Sequence, residues 1–271
     1  MFKVNCIVNR YTIVFFALVL STSLFSQRQI EELNRGVVAM RKTTNQVFIS
    51  WRWLGTESSQ VSFNVYRDDT KLNDIPITGS TNYIDNSSAS ASYSVSAIID
   101  GVEQARSENT EVWSNNYMEI NLNRPTGGTT PDGVNYTYSP NDCSVGDMDG
   151  DGEYEIVVKW DPSNAKDTSQ SVYTGNVFLD AYKMDGTQLW RIDLGRNIRA
   201  GAHYIQYLVY DFDGDGKAEV ACKTAPGTKD NSAVYLSPGP AVSDNDAADY
   251  RTSAGYILSG PEYLTVFNGE T

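Results

Sequence analysis

Two stretches, "DMDGDGEYE" (Asp147 to Glu155) and "DFDGDGKAE" (Asp211 to Glu219), each set three carboxylates at alternate positions within five residues and a glutamate at the ninth. Carboxylates this close repel one another and hold each other's protons unless a positive charge lies among them. An EF-hand calcium loop uses its first, third and fifth positions, a glycine at the sixth, a carbonyl at the seventh and a glutamate at the twelfth. Asp147, Asp149, Asp151 and Gly152 fit the first six places, as do Asp211, Asp213, Asp215 and Gly216. The twelfth place holds Val158 or Cys222, so Glu155 or Glu219 must close the loop, with the carbonyl of Glu153 or Lys217 between. All-oxygen ligation by a loose loop selects Ca2+ over zinc and magnesium, and the alternative is a solvated acidic turn. A bound ion in such a loop pins the backbone and is not expected to touch substrate.

Chemistry on a substrate is sought where the two copies disagree. Asn141 and Asp142 precede the first loop, and the second copy has Ile205 and Gln206; Asp161 follows it, where the second copy has Ala225. These three polar residues could converge on one cleft. Lys159 and Lys223 recur in register, which fits either a shared structural position or a pair of cations lining an axis. The single histidine, His203, stands near Arg199 in "NIRAGAHYIQY"; without a partner histidine or a GxSxG nucleophile it reads as a hydrogen-bonded structural residue before a catalyst.

The elements that carry these residues are strands, and the fold class expected is all-β. The second acidic loop follows the first by 64 residues, and the match continues from "VGDMDGDGEYEIVVKWDP" onto "VYDFDGDGKAEVACKTAP". "TGNVFLDAY" then overlies "SGPEYLTVF" at an offset of 85, with an insertion around "YLSPGPAVSDNDAADYRTSAGY" taking up the difference. Repeated multi-strand units predict the first blades of a β-propeller over residues 116–271, the Asp-Gly pair after "VFLDAYKM" closing a hairpin. Two units do not close a propeller, so the sequence is expected to be the N-terminal part of a longer protein. "NRPTGGTTPDG" reads as a linker or entry loop. Over 28–115, short alternating runs such as "QVFISWRWL", "VSFNVYRDD" and "SYSVSAIIDGVE" predict a fibronectin type III-like β-sandwich, with Trp51, Trp53 and Tyr66 packing in its core or between domains and a sugar-stacking platform as the alternative.

Residues 1–27 combine Lys3, Arg10 and the apolar "YTIVFFALVLSTSLF", as a secretory signal peptide does, with a retained anchor as the alternative. The expected location is secreted or periplasmic, with no membrane contact after cleavage. That compartment permits a disulfide between Cys143 and Cys222, although two separately buried thiols are the expectation. A net charge of −13 over 271 residues, with no clustered Lys and Arg, argues against a nucleic-acid partner.

"SWRWLGTE", "FNVYRD", "GGTTPDG", "YTYSPNDCSVGDMDGDGEYEIVVKWDPSNAKD", "GNVFLDAYKMDGTQLWRIDLGRNIRAGAHYIQY" and "YDFDGDGKAEVACKTAPGTKD" resemble the N-terminal part of the rhamnogalacturonan lyases of polysaccharide lyase family 11. The resemblance covers nearly the whole chain after the leader. It implies an eight-bladed, calcium-rich propeller with a small β-domain that cleaves an acidic plant cell-wall polysaccharide, rhamnogalacturonan I, by β-elimination. It further implies that Asn141 and Asp161 face the substrate, that Asp142 ligates a calcium near the reacting sugar, and that Arg199 and His203 lie in the cleft. The family's catalytic Arg and Lys have no counterpart here and are expected beyond residue 271, so this part alone is expected to be inactive. A non-enzymatic calcium propeller for carbohydrate binding or adhesion is the competing reading.

Overall fold

The computed structural model describes residues 31–167, 169–201 and 205–270. The expected leader, Cys6 and His203 lie outside the described residues. The fold is all-β, as expected; among the described residues there is no α-helix, only a 3-10 turn at Gly239–Ser243, and no helix long and apolar enough to cross a membrane.

The first unit is built from β1 (Val38–Thr43), β2 (Gln46–Ser50), β3 (Ser62–Arg67), β4 (Thr70–Lys71), β5 (Ile77–Thr78), β6 (Asn82–Asp85), β7 (Ser92–Ile99), β8 (Val102–Arg106) and β9 (Thr110–Trp113). They form one curled sheet of nine strands, along the path β4-β3-β7-β9-β1-β2-β6. β9 is the shared edge: Thr110 and Glu111 pair antiparallel with β7, whereas Val112 and Trp113 pair parallel with β1. The alternation in each strand turns Ala39, Val47, Ile49, Phe63, Val65, Tyr93 and Val95 inward to a common core. Trp51 and Tyr66 are buried as expected, and Trp51 meets Phe63 edge-on at 5.4 Å; Trp53 instead is 38% exposed.

"TTPDG" makes a turn inside a short hairpin of β10 (Gly128–Thr129) and β11 (Asn135–Tyr136), more ordered than a linker. Its turn closes through Gly133 N–H to the Thr130 carbonyl at 2.8 Å, with Gly133 at φ +83°. A four-stranded sheet follows, from β12 (Tyr138–Gly146), β13 (Glu155–Pro162), β14 (Phe178–Tyr182) and β15 (Gln188–Asp193), each antiparallel to the next. β16 (Tyr207–Tyr210), β17 (Glu219–Thr224) and β18 (Tyr263–Phe267) form a third sheet. β18 repeats β14 at the same offset that the sequence match gives, strand for strand.

The two repeat sheets share one core. Val157, Leu179, Ala181, Trp190 and Ile192 from the first meet Ile205, Val220, Cys222 and Phe267 from the second, and the Trp190 indole N–H donates to the Gly269 carbonyl at 2.7 Å. The other face of the first sheet buries Tyr138, Val158, Trp160 and Tyr182. There Asp180, fully buried, accepts from the Trp160 indole (2.8 Å), the Tyr182 hydroxyl (2.6 Å) and both Arg191 Nε (2.7 Å) and Nη2 (2.6 Å). A charge so placed is tolerated because four donors meet it, two of them from a guanidinium.

Cys143 and Cys222 are free thiols. Cys222 is buried and desolvation pushes it up to about 12, but Cys143 is exposed, against the expectation of two buried sulfurs.

Candidate functional site

β12 and β13 keep register from Tyr138 to Pro140 and again from Cys143 to Gly146, but between these segments Asn141 and Asp142 together oppose Lys159 alone. Two residues against one is a β-bulge, which kinks the strand and re-aims its side chains. In the second unit the described part of the equivalent strand, β16, begins at Tyr207, the counterpart of Cys143. On the bulge, the Asn141 amide donates to Asp161 Oδ2, and the Lys159 ammonium donates to Asp142 Oδ2 and, at 3.3 Å, to the Ile205 carbonyl. The Tyr207 hydroxyl of the neighbouring sheet lies 2.9 Å from the Val157 carbonyl and 3.1 Å from that of Asp142, which share its one proton. The Asp161 carboxyl is raised chiefly by burial; the Asn141 amide and the Lys159 charge pull it back, and Asp142 pushes it up. The three polar residues singled out by their absence from the second repeat thus form two adjoining pairs, Asn141 with Asp161 and Asp142 with Lys159.

The lysines that recur in sequence differ in space. Lys159 is 1% exposed, whereas Lys223 is partly exposed and pairs with Glu262 at 2.9 Å.

The acidic loops are near-copies of one another. In the first, Asp147 accepts the N–H groups of Gly150 (2.7 Å) and Gly152 (2.8 Å), and Glu155 accepts that of Met148 (2.7 Å). In the second, Asp211 accepts from Gly214 (2.6 Å) and Gly216 (3.1 Å), and Glu219 from Phe212 (2.8 Å). All four of these glycines have φ between +79° and +94°, a region closed to most side chains, which is why the motif needs them. Carboxylate oxygens of Asp147, Asp149 and Glu155 lie within 4.8 Å of one another, and so do those of Asp211, Asp213 and Glu219.

Asp151 and Asp215 are not in these groups and accept the N–H groups of Glu153 and Lys217, both at 2.9 Å. Burial, more than the neighbouring carboxylates, raises Glu155 to about 7. Glu219 is also raised by burial, and its Oε1 is buried with no hydrogen-bond partner. An orphaned buried carboxylate oxygen among other hard oxygens fits a divalent cation.

One lysine and the first unit complete the first loop. Lys183, just before the Asp-Gly turn that joins β14 to β15, sets its ammonium 2.5 Å from Asp149 and 2.9 Å from Asp151. The Glu153 carboxylate faces Asn34 (2.5 Å) and Arg52 (3.7 Å), the Asn34 N–H donates to the Gly152 carbonyl at 2.8 Å, and Arg52 lies over the Tyr154 ring at 4.4 Å. The Lys217 side chain points away from its own loop to Glu270. None of Lys183, Asn34 or Arg52 is signalled by the motif, since each arrives from elsewhere in the chain.

Arg199 lies over the Tyr256 ring at 4.7 Å and donates to the Gln170 carbonyl; its Nε and Nη1 are buried without a hydrogen-bond partner. Asp142 joins no group of three metal-ligating side chains among the described residues. A cleft of about 1190 Å³ between the first unit and the second loop, lined by Glu31, Arg52, Trp53, Asp211 and Asp215, does not include the bulge residues.

A family model described as rhamnogalacturonan lyase family 11, C-terminal domain, matches residues 117–271. The chain belongs to this family. A second model, the rhamnogalacturonan I lyase beta-sheet domain, matches residues 28–113, so this family 11 chain carries both parts. It is 59% identical over 245 residues to the rhamnogalacturonan endolyase YesW of Bacillus subtilis (strain 168), and 55% identical over 246 residues to the exolyase YesX of the same organism. Each match covers 90% of this chain, and 38% or 39% of the relative. Among solved structures, the Bacillus licheniformis rhamnogalacturonan lyase PL11 superposes with a TM-score of 0.83 at 61% identity, covering 90% of this chain and 41% of the other. The family 11 chain therefore spans about two fifths of the length of the relatives it matches.

Proposed function

We propose that this chain is part of a secreted, calcium-dependent rhamnogalacturonan lyase that cleaves the rhamnose–galacturonate backbone of pectin by β-elimination. The observation that carries the reading is the bulge face, on which Asn141, Asp142 and Asp161 gather in one repeat unit and not in the other. Exposed amide and carboxylate groups on a rigid strand pair suit the hydroxyls of a sugar. The relatives named as rhamnogalacturonan lyases point to the same substrate class.

In such an elimination a base removes the galacturonate C5 proton, the C4–O bond breaks, and a C4=C5 double bond forms without consuming water. Negative charge develops beside the sugar carboxylate and needs a cation to meet it. Among the described residues of the bulge, Lys159 is buried and already paired, so we assign the base to none of them. Asn141 and Asp161 bind and orient the sugar. Asp142, held at Oδ2 by Lys159, keeps its other oxygen for the sugar or for a calcium beside it. The orphaned donors of Arg199 suit a sugar carboxylate.

Calcium held by Asp147, Asp149 and Glu155, and by Asp211, Asp213 and Glu219, would neutralise the loops and tie each strand pair. The finer architecture we infer is a fibronectin type III-like module followed by propeller blades. The outer apolar stripe of Leu208, Leu264 and Val266, 64%, 80% and 52% exposed, supports it as a surface for a further blade.

The test is ultraviolet absorbance from the unsaturated product when full-length enzyme meets rhamnogalacturonan, with and without calcium. Asp161→Asn is expected to lower turnover by about 10- to 100-fold, the worth of a hydrogen bond to a charged group, with folding intact. New reducing ends without absorbance would overturn elimination, and saturable binding without cleavage would favour a non-enzymatic propeller.

A further inference from the structure

We propose that Lys159 is a positioning residue for the bulge face: its buried ammonium fixes the direction of the Asp142 carboxylate and offsets the acidic charge that an anionic sugar would meet there. The inference rests on the bulge face being the sugar-binding face.

Residues in a β-bulge are left out of the regular ladder, so their side chains take direction from whatever else grips them. Asp142 is gripped twice. Its carbonyl shares the Tyr207 hydroxyl of the neighbouring sheet with that of Val157, and its Oδ2 is tied to Lys159. The Lys159 side chain is 2% exposed while that of Asp142 is 61% exposed, so the lysine approaches from the protein side and the carboxylate presents its other edge outward. Full burial of a lysine is rare without a partner, because the ammonium loses its water. Here the Ile205 carbonyl at 3.3 Å supplies a further acceptor, and the stem lies in the contact between the two repeat sheets.

The second repeat serves as an internal comparison. Lys223 occupies the equivalent place in β17, yet it is 38% exposed and reaches Glu262. Lys159 differs in being covered by Ile205 of the following unit. What the first repeat has in addition are the carboxylates of the bulge face. Asp161 feels the same ammonium, which draws its carboxyl back toward the ionised form.

The experiment uses full-length enzyme carrying Lys159→Met, Lys159→Arg, Asp142→Asn, and Lys159→Met with Asp142→Asn, each measured for kcat and KM on rhamnogalacturonan and for thermal midpoint. Lys159→Met is expected to lower kcat/KM by about 10- to 100-fold, in line with a lost charge-assisted hydrogen bond at a site that depends on orientation. The double variant should be no worse than the poorer single one, because both remove the same interaction. Lys159→Arg, which keeps the charge, should recover most of the loss. The proposal is overturned if Lys159→Met moves the midpoint but leaves kcat/KM within about twofold, or if the two losses multiply in the double variant. Should Lys159→Met fail to fold, Lys159→Gln replaces it in the same cycle with the same criteria. If Asp142→Asn and Asp161→Asn both leave kcat and KM unchanged, the sugar-face reading itself fails, and this is distinguishable from multiplying losses, which defeat only the role of Lys159.

Discussion

The two acidic loops share a sequence and a hydrogen-bond pattern, yet they should not bind calcium equally. In the first, the Lys183 ammonium sits on Asp149 and Asp151 at 2.5 and 2.9 Å, where an incoming ion must displace it. In the second, no lysine or arginine among the described residues pairs with Asp211, Asp213 or Asp215. The bare Coulomb attraction at these separations would amount to several kcal/mol. However, Lys183, Asp149 and Asp151 are 33%, 27% and 44% exposed, so each pair is discounted to the surface value of about 0.2–1 kcal/mol. Together they cost an incoming ion about 0.5–2 kcal/mol, or a factor of about 2 to 30 in affinity. Calorimetric titration of chelator-stripped protein should therefore resolve a tighter second loop and a weaker first one. Lys183→Met should strengthen the weaker site by that factor and leave the tighter one alone, and Asp211→Asn should remove the tighter one and so identify it. The difference should shrink at high salt, since exposed pairs are screened. An unchanged weaker site in Lys183→Met, or a tighter site that moves in its place, would refute the reasoning.

Further outcomes follow from the same geometry. Removing calcium with a chelator should lower the thermal midpoint, since ligand at one hundred times its Kd adds about 2.7 kcal/mol per site to the folded state; Asp213→Ala should abolish the share of that response owed to the second loop. Asp180→Ala should cost about 3–5 kcal/mol in urea unfolding, because it strands the Arg191 charge and leaves two buried donors without an acceptor. Glu103 is held at about 2, first by hydrogen bonding from Asn64 and then from Ser96 and Tyr66. Its folded value lies below the ordinary one, so its contribution is present above about pH 4.5 and is lost as pH falls toward 2. Glu103→Gln should accordingly narrow its gap from the parent protein across that window when thermal midpoints are compared.

Local patterns were readable and sheet-level neighbours were not. Alternation placed β14 and β18 at equivalent positions because a strand writes its two faces into successive residues. The acidic loops were readable because ligands, glycines and closing glutamate all lie within nine residues. Comparing the repeats drew attention to Asn141, Asp142 and Asp161, but not to the reason they meet. The bulge depends on how β12 aligns with β13, and no single strand records its partner's register. Lys159 and Lys223 hold the same position in the repeat, yet Asp142 and Ile205 stand near one and Glu262 near the other. Cys143 was expected inside and is outside for a related reason, since it is the first residue to rejoin the ladder after the bulge.

The same register limits what the acidic loops can do for chemistry. The first loop caps the closed end of the β12–β13 hairpin, beginning at Asp147, whereas Asn141, Asp142 and Asp161 stand toward the open end. Asp147 and Asn141 are six residues apart along one strand, which at about 3.3 Å per residue is about 20 Å, less a little for the kink. That is roughly twice the Debye length at physiological salt, so the charge of an ion in the loop is largely screened from a sugar on the bulge through solvent. On the proposed function, calcium there would hold the hairpin, and through it the bulge, in register, but would lie too far away to stabilise charge on a reacting galacturonate. Any cation that does so must bind at the open end, where Asp142 offers its exposed edge. Calcium dependence of cleavage should therefore separate from calcium dependence of folding, the first being sensitive to Asp142→Asn and the second to Asp149→Ala.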